Sequence, residues 1–103
     1  MGLEEEFTQA LEGTIDAAKA RGYAPTYFMQ MLDEHGGKET AKRLLAKSEP
    51  QTGLFELWDR DLLHESMEAV ICENLRFHVL FEKHELTEAR RRLEELGYFK
   101  EEK

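Results

Sequence analysis

His35-Gly36-Gly37-Lys38-Glu39-Thr40-Ala41-Lys42-Arg43-Leu44-Leu45 is the stretch on which the fold turns. Upstream of it Phe28, Met31, Leu32 and His35 share one helical face, with Tyr27 beside them. The glycine pair interrupts that pattern, and Ala41, Leu44 and Leu45 resume it. This predicts one helix ending near His35, a break, and a short helix over residues 38–47. His35, Gly36 and Gly37 then form a structural corner that aims two apolar faces at one core, with His35 capping or bracing it. A glycine pair before a lysine also suggests a phosphate loop. That motif needs a glycine where Leu32 stands, a Ser or Thr where Glu39 stands, and a preceding strand, so the corner reading wins.

Before the corner, Leu3, Phe7, Leu11, Ile15 and Ala18 make a helical stripe. Glu4, Glu5 and Glu6 in its first turn and Lys19 and Arg21 in its last complement the helix dipole. Gly22 is the stop signal, and Gly13 marks either a close helix crossing or a tolerated weak spot in the helix. Pro25 suits a helix start. After the corner, residues 48–53 read as a loop by composition. Leu54, Phe55, Leu57 and Trp58 predict a short apolar helix with Trp58 as a core anchor. Leu63, Met67, Val70 and Ile71 form the next stripe, with Glu65 and Glu68 near its start, Ser66 helping to begin it and Asn74 ending it. Leu75, Phe77, Val79, Leu80 and Phe81 read as a turn or short helix plugging the core, because a lone strand would have no partner. Leu86, Ala89, Leu93 and Leu96 mark the last helix, closed by Gly97. Tyr98 and Phe99 are expected to fold back onto the core. Glu88 with Arg92, Arg90 with Glu94 and Arg91 with Glu95 are i,i+4 pairs. The expected architecture is all-α: one domain, a compact orthogonal bundle of about five to six short helices around one core.

The 103 residues suit a single domain of that size, and 41% hydrophobic content is normal for a globular chain. No apolar run approaches the roughly 18 residues of a membrane span. Glu4-Glu5-Glu6 stands where a secretory leader would be basic and then apolar. A single cysteine excludes an internal disulfide. A cytoplasmic protein without membrane attachment is the expectation. A net charge of −8 opposes non-specific nucleic-acid binding. The same acidity also permits mimicry of a phosphate row.

No catalytic, cofactor or metal site is expected. Cys72, His78 and His84, with His35 and His64 in reserve, lack the close ligand pairs of structural zinc sites. Cys72 in Val70-Ile71-Cys72 reads as a buried small hydrophobe rather than a nucleophile. Two basic groups are candidate interaction surfaces: Lys38, Lys42, Arg43 and Lys47 on the outer side of the helix after the corner, and Arg90 and Arg91 with Arg92 on the last helix. Neighbours on a helix point about 100° apart, so the arginine run cannot form one patch by itself.

With those residues placed, the chain resembles an uncharacterised family of small helical domains of bacteria and archaea. The pattern covers about residues 22 to 98: Gly22-Tyr23, Pro25, Phe28, His35-Gly36-Gly37, Ala41, Leu44-Leu45, Gly53, Leu57-Trp58 and Leu63, then Ser66, Glu68-Ala69, Phe77, Leu80-Phe81, Glu85, Ala89-Arg90, Leu93 and Gly97-Tyr98. His64-Glu65 and Glu82 depart from it, which puts the neighbouring helix starts in question. The resemblance implies an all-helical fold, no known activity, and a phage-defence or DNA-processing setting. The functional expectation is a non-enzymatic interaction or regulatory domain that binds another macromolecule, with a protein partner. The alternatives are a phage- or plasmid-type inhibitor that mimics DNA through acidic helices, including Glu4, Glu5, Glu6 and Glu12, and a nucleic-acid accessory domain using Lys38, Lys42, Arg43 and Lys47.

Overall fold

A computed structural model describes residues 2–49 and 52–99. Among them are five α-helices, two 3₁₀ segments and no strand: α1 (Leu3–Ala20), α2 (Thr26–Leu45), α3 (Thr52–Asp59), a first 3₁₀ segment (Leu63–Glu65), α4 (Met67–Glu73), a second 3₁₀ segment (Leu75–Leu80) and α5 (Lys83–Glu95). The chain is an all-α bundle with a radius of gyration of 12.8 Å. Among the described residues no helix is long and apolar enough to cross a membrane.

The α1 stripe holds as read. Phe7, Leu11, Ile15 and Ala18 are buried, and Leu3 packs at the edge. Phe7 meets Phe77 and Phe81 edge-on at 5.1 and 5.4 Å, an arrangement the ring quadrupoles favour. Gly22 and Gly97 follow α1 and α5 with positive φ. Gly13, however, is exposed with open space around it, so no close crossing occurs there.

The corner is real. Gly36, at φ 79° and ψ 170°, divides α2 into two helical halves. That conformation is essentially open to glycine alone. Gly37 serves a different purpose. A Cβ there would stand 2.9 Å from the Thr8 Cα and 2.8 Å from its Oγ1, so α1 passes against the bare backbone. The Gly37 N–H, whose helical partner is lost at the break, donates to Thr8 Oγ1 at 2.9 Å. The buried Thr40 hydroxyl donates back across the corner to the Met31 carbonyl at 2.9 Å. Among the described residues His35 makes no capping bond; it sits half-buried beside Glu34. Thr8 and Thr40, rather than His35, brace the turn.

The second half of α2 ends at Leu45, two residues short of Lys47. Within the expected 48–53 loop, Pro50 and Gln51 lie outside the described residues, while Thr52 and Gly53 belong to α3. Leu54 and Leu57 face inward, but Trp58 is 50% exposed and Phe55 44% exposed. Trp58 is therefore not a core anchor. An eight-residue helix offers one face to the core, and Leu54 and Leu57 occupy it.

The second 3₁₀ segment plugs the core only in part. With three residues per turn, Phe77 and Leu80 share the inward side. Leu75 and Val79 are left outside, each 78% exposed. Ser66 caps α4 by accepting the Ala69 N–H at 3.0 Å. Asn74 closes α4 by donating to the Val70 carbonyl at 2.8 Å. In place of a hydroxyl cap, the backbone N–H of Glu82 donates to the Glu85 carboxylate at the start of α5. Tyr98 and Phe99 fold back and pack beside Leu93.

Candidate functional site

The basic side chains do not assemble. Lys38 reaches Glu4 on α1 at 3.3 Å, and Lys42 reaches Glu85 on α5 at 2.7 Å with its ammonium near the Phe81 ring. Lys42 is thus half-buried between two helices, not displayed on an outer face. Arg43 closes on Glu39 at 2.9 Å, while Lys47 is exposed and has no ion pair among the described residues. Arg90 pairs with Glu94 and stacks over Phe99. Arg91 pairs with both Glu88 and Glu95 at 2.6 Å. Among the described residues each of these candidate cations except Lys47 is satisfied by a carboxylate, in different directions.

Arg92 departs furthest from expectation. It is fully buried, so the Glu88–Arg92 pair is not a solvated helix face. Its Nε donates to Glu88 at 2.7 Å and its Nη1 to Glu68 Oε2 at 3.3 Å. Its Nη2 donates to the carbonyls of Leu44 and Lys47 at 3.2 and 2.9 Å. One guanidinium therefore joins α5 to α4 and closes the C-terminal end of α2, where a cation is electrostatically favoured. Glu68, expected near a helix start, is also fully buried. Burial pushes its carboxyl above the ordinary value of 4.5, against the lowering effect of Arg92. Glu88, held first by Arg91 and then by Arg92, is pulled down to about 2. Among the described residues Glu68 Oε1 is the buried side-chain polar atom that lacks a hydrogen-bond partner.

Glu68 lies on the wall of a cavity of about 700 Å³. The later turns of α1 supply Thr14, Ile15 and Ala18. The α1–α2 connection supplies Tyr23, Ala24 and Pro25, and Phe28 follows from α2. Leu54 and Leu57 of α3 form another wall, and Ser66 and Met67 lead to Glu68. A second, shallower groove runs beside the corner, where Glu4, Glu5 and Glu12 of α1 meet Glu39 of α2.

Cys72 is half-buried, and burial raises its thiol to about 11, which holds it protonated at neutral pH. A ring nitrogen of His78 lies 2.9 Å from the Ile71 carbonyl and must donate to it. Among the described residues no three His, Cys, Asp or Glu side chains gather in a metal-binding arrangement.

The sequence places Arg92 in a basic surface group and Glu68 near a helix start, and it assigns neither a buried role, although the pattern holds a signal for both. Arg92 stands three residues after Ala89, on the apolar stripe itself. Glu68 is enclosed by Met67, Ala69, Val70 and Ile71. Opposite charges at two core positions are what a buried ion pair looks like in sequence. Comparison of the chain with protein-family models, with curated proteins and with solved structures found no match.

Proposed function

We propose that the chain is a non-enzymatic protein-binding domain whose docking face is the outer side of α3. The observation that carries this is the exposure of Phe55 and Trp58, one helical turn apart and each roughly half in solvent. Large aromatics at the centre of a contact supply most of the binding energy in many interfaces. The internal pairing of Lys38, Lys42, Arg43, Arg90 and Arg91 supports a protein partner over nucleic acid, because phosphate binding draws on free cations. The resemblance of the sequence directs the search for that partner toward phage-defence and DNA-processing proteins. Affinity capture with the wild-type chain and with Phe55→Ser/Trp58→Ser tests the assignment. A partner held by the wild type and lost by a variant of unchanged circular dichroism supports it. A partner held equally by both contradicts it.

A second reading rests on the corner groove, which brings Glu4, Glu5, Glu12 and Glu39 to one face, as an acidic mimic of DNA requires. Lys38 neutralises part of that row through Glu4, and Glu6 is drawn away to Arg76. The mimic reading predicts that reversing the charge of Glu5, Glu12 and Glu39 abolishes inhibition of a DNA-binding target, and unchanged inhibition rules it out.

A further inference from the structure

Among the described residues four cations stand over an aromatic ring, and each of the four is also held by a carboxylate. Arg60 lies 4.9 Å from the centre of the Tyr23 ring and 3.7 Å from Glu56. Arg76 lies 4.3 Å from the centre of the Phe77 ring and pairs with Glu6. Arg90 lies 4.3 Å from the centre of the Phe99 ring and 3.0 Å from Glu94. Lys42 is shared in the same way between the Phe81 ring and Glu85. An aromatic face beside a carboxylate is therefore how this fold holds a cation. The outer side of α3 repeats the arrangement. Phe55 and Trp58 are roughly half in solvent, and Asp59 stands one turn beyond Phe55 on the same face. Asp61 follows the helix end at φ 62°, and its N–H donates to the Trp58 carbonyl at 3.1 Å. Asp59 and Asp61 are both exposed, and among the described residues neither has an ion pair. Arg60, between them in sequence, turns to Glu56 and Tyr23 instead.

Resting on the reading of this face as a docking surface, we infer that its protein partner presents a basic segment whose arginines stack on Phe55 and Trp58 and pair with Asp59 and Asp61. Arginine suits the site better than lysine, because its planar guanidinium both stacks on rings and meets a carboxylate through two N–H groups. Tryptophan and arginine are also among the residues that carry most of the energy of protein contacts. A second copy of the chain fits poorly. A twofold contact through α3 would set Asp59 and Asp61 against the same carboxylates of the other copy, and like charges facing each other oppose association.

The test titrates the full chain with a synthetic helical peptide carrying leucine on one face and arginine on the other, and with versions in which lysine or glutamate replaces arginine. Trp58 is the single tryptophan, so its emission reports on the face itself. The arginine peptide is expected to shift that emission to the blue. At about 0.15 M salt it should bind at least about tenfold more tightly than the glutamate peptide, with the lysine peptide between them. Asp59→Asn/Asp61→Asn keeps the side-chain shapes and the left-handed backbone, which asparagine accepts, and should weaken the arginine peptide about tenfold at an unchanged Tm. Glu4→Gln/Glu5→Gln/Glu12→Gln removes more charge, from α1, and should leave that affinity within about twofold. Equal losses in the two charge variants would reduce the attraction to net charge and overturn the inference. No binding up to about 1 mM, or a dimer of the chain alone that Trp58→Ser dissociates, overturns it too. Phe55→Ser, which keeps the reporter, separates this inference from the docking reading beneath it. If arginine and glutamate peptides bind equally and Phe55→Ser abolishes both, the arginine assignment alone fails. If peptide binding survives Phe55→Ser, the docking face fails with it.

Discussion

The glycine corner and the Arg92 junction both fix the path of α2, one at its middle and one at its end, by opposite physics. At the corner the fixing is steric and neutral. Gly36 takes a backbone conformation closed to other residues, Gly37 lets α1 approach, and two hydroxyls take up hydrogen-bonding groups at the break. At the junction the fixing is electrostatic and buried. One guanidinium, itself fully buried, holds the buried Glu68 carboxylate, the half-buried Glu88 carboxylate and two carbonyls. A corner of the first kind fails by degrees when atoms are added. A junction of the second kind fails abruptly when one partner is removed, because the charge left behind is stranded.

The largest effect is therefore expected at Arg92. Arg92→Leu leaves Glu68 buried without its cation and should cost about 3–5 kcal/mol in urea unfolding. In a domain whose total stability is on the order of 5–15 kcal/mol, that brings the chain close to unfolding. Gly37→Ala comes next. Its Cβ meets backbone rather than a flexible side-chain end, so a loss of about 3 kcal/mol is expected. Gly36→Ala has open space but a strained φ, and about 2 kcal/mol is expected. If the two alanine variants ranked in the reverse order, the distinct duties assigned to the two glycines would be wrong.

The two carboxylates on Arg92 should respond to pH in opposite senses, a smaller effect. Glu88 sits at about 2 in the fold, below its ordinary 4.5. Its contribution is complete above 4.5 and is lost as pH falls through about 2, so Glu88→Gln should flatten the acid limb of a stability profile. Glu68 is raised by burial. Its contribution is complete below 4.5 and is lost as pH rises through its folded value. The cost of Glu68→Gln should accordingly be greater at pH 4 than at pH 7, and a cost that grew with pH would refute the burial argument.

The difference between the two regions also explains what could be read in advance. The corner was legible because a glycine pair breaking an apolar period is a local signal. The stripes of α1 and α5 and the ends at Gly22, Asn74 and Gly97 were legible for the same reason. Thr8 was not, since its bond to Gly37 spans 29 positions and hydroxyls on helix surfaces are ordinary. Trp58 was misplaced because type suggested burial while an eight-residue helix had room inward only for Leu54 and Leu57. Lys42 was read as displayed because nothing local reveals that Glu85 packs across it. Glu88–Arg92 has sound i,i+4 spacing, which drew attention away from the fact that Arg92 also sits on the apolar stripe. The cavity exists only once α1, α2 and α3 are brought together, and no stretch of sequence encodes it alone.

The central claim is that Arg92 and Glu68 form one buried unit. A double-mutant cycle with Arg92→Met, Glu68→Leu and the pair, followed by urea unfolding at pH 7, measures it directly. The account predicts that Arg92→Met costs several kcal/mol when Glu68 is present and far less in the Glu68→Leu background, a coupling of at least about 2 kcal/mol. A coupling within about 0.5 kcal/mol of zero would contradict it.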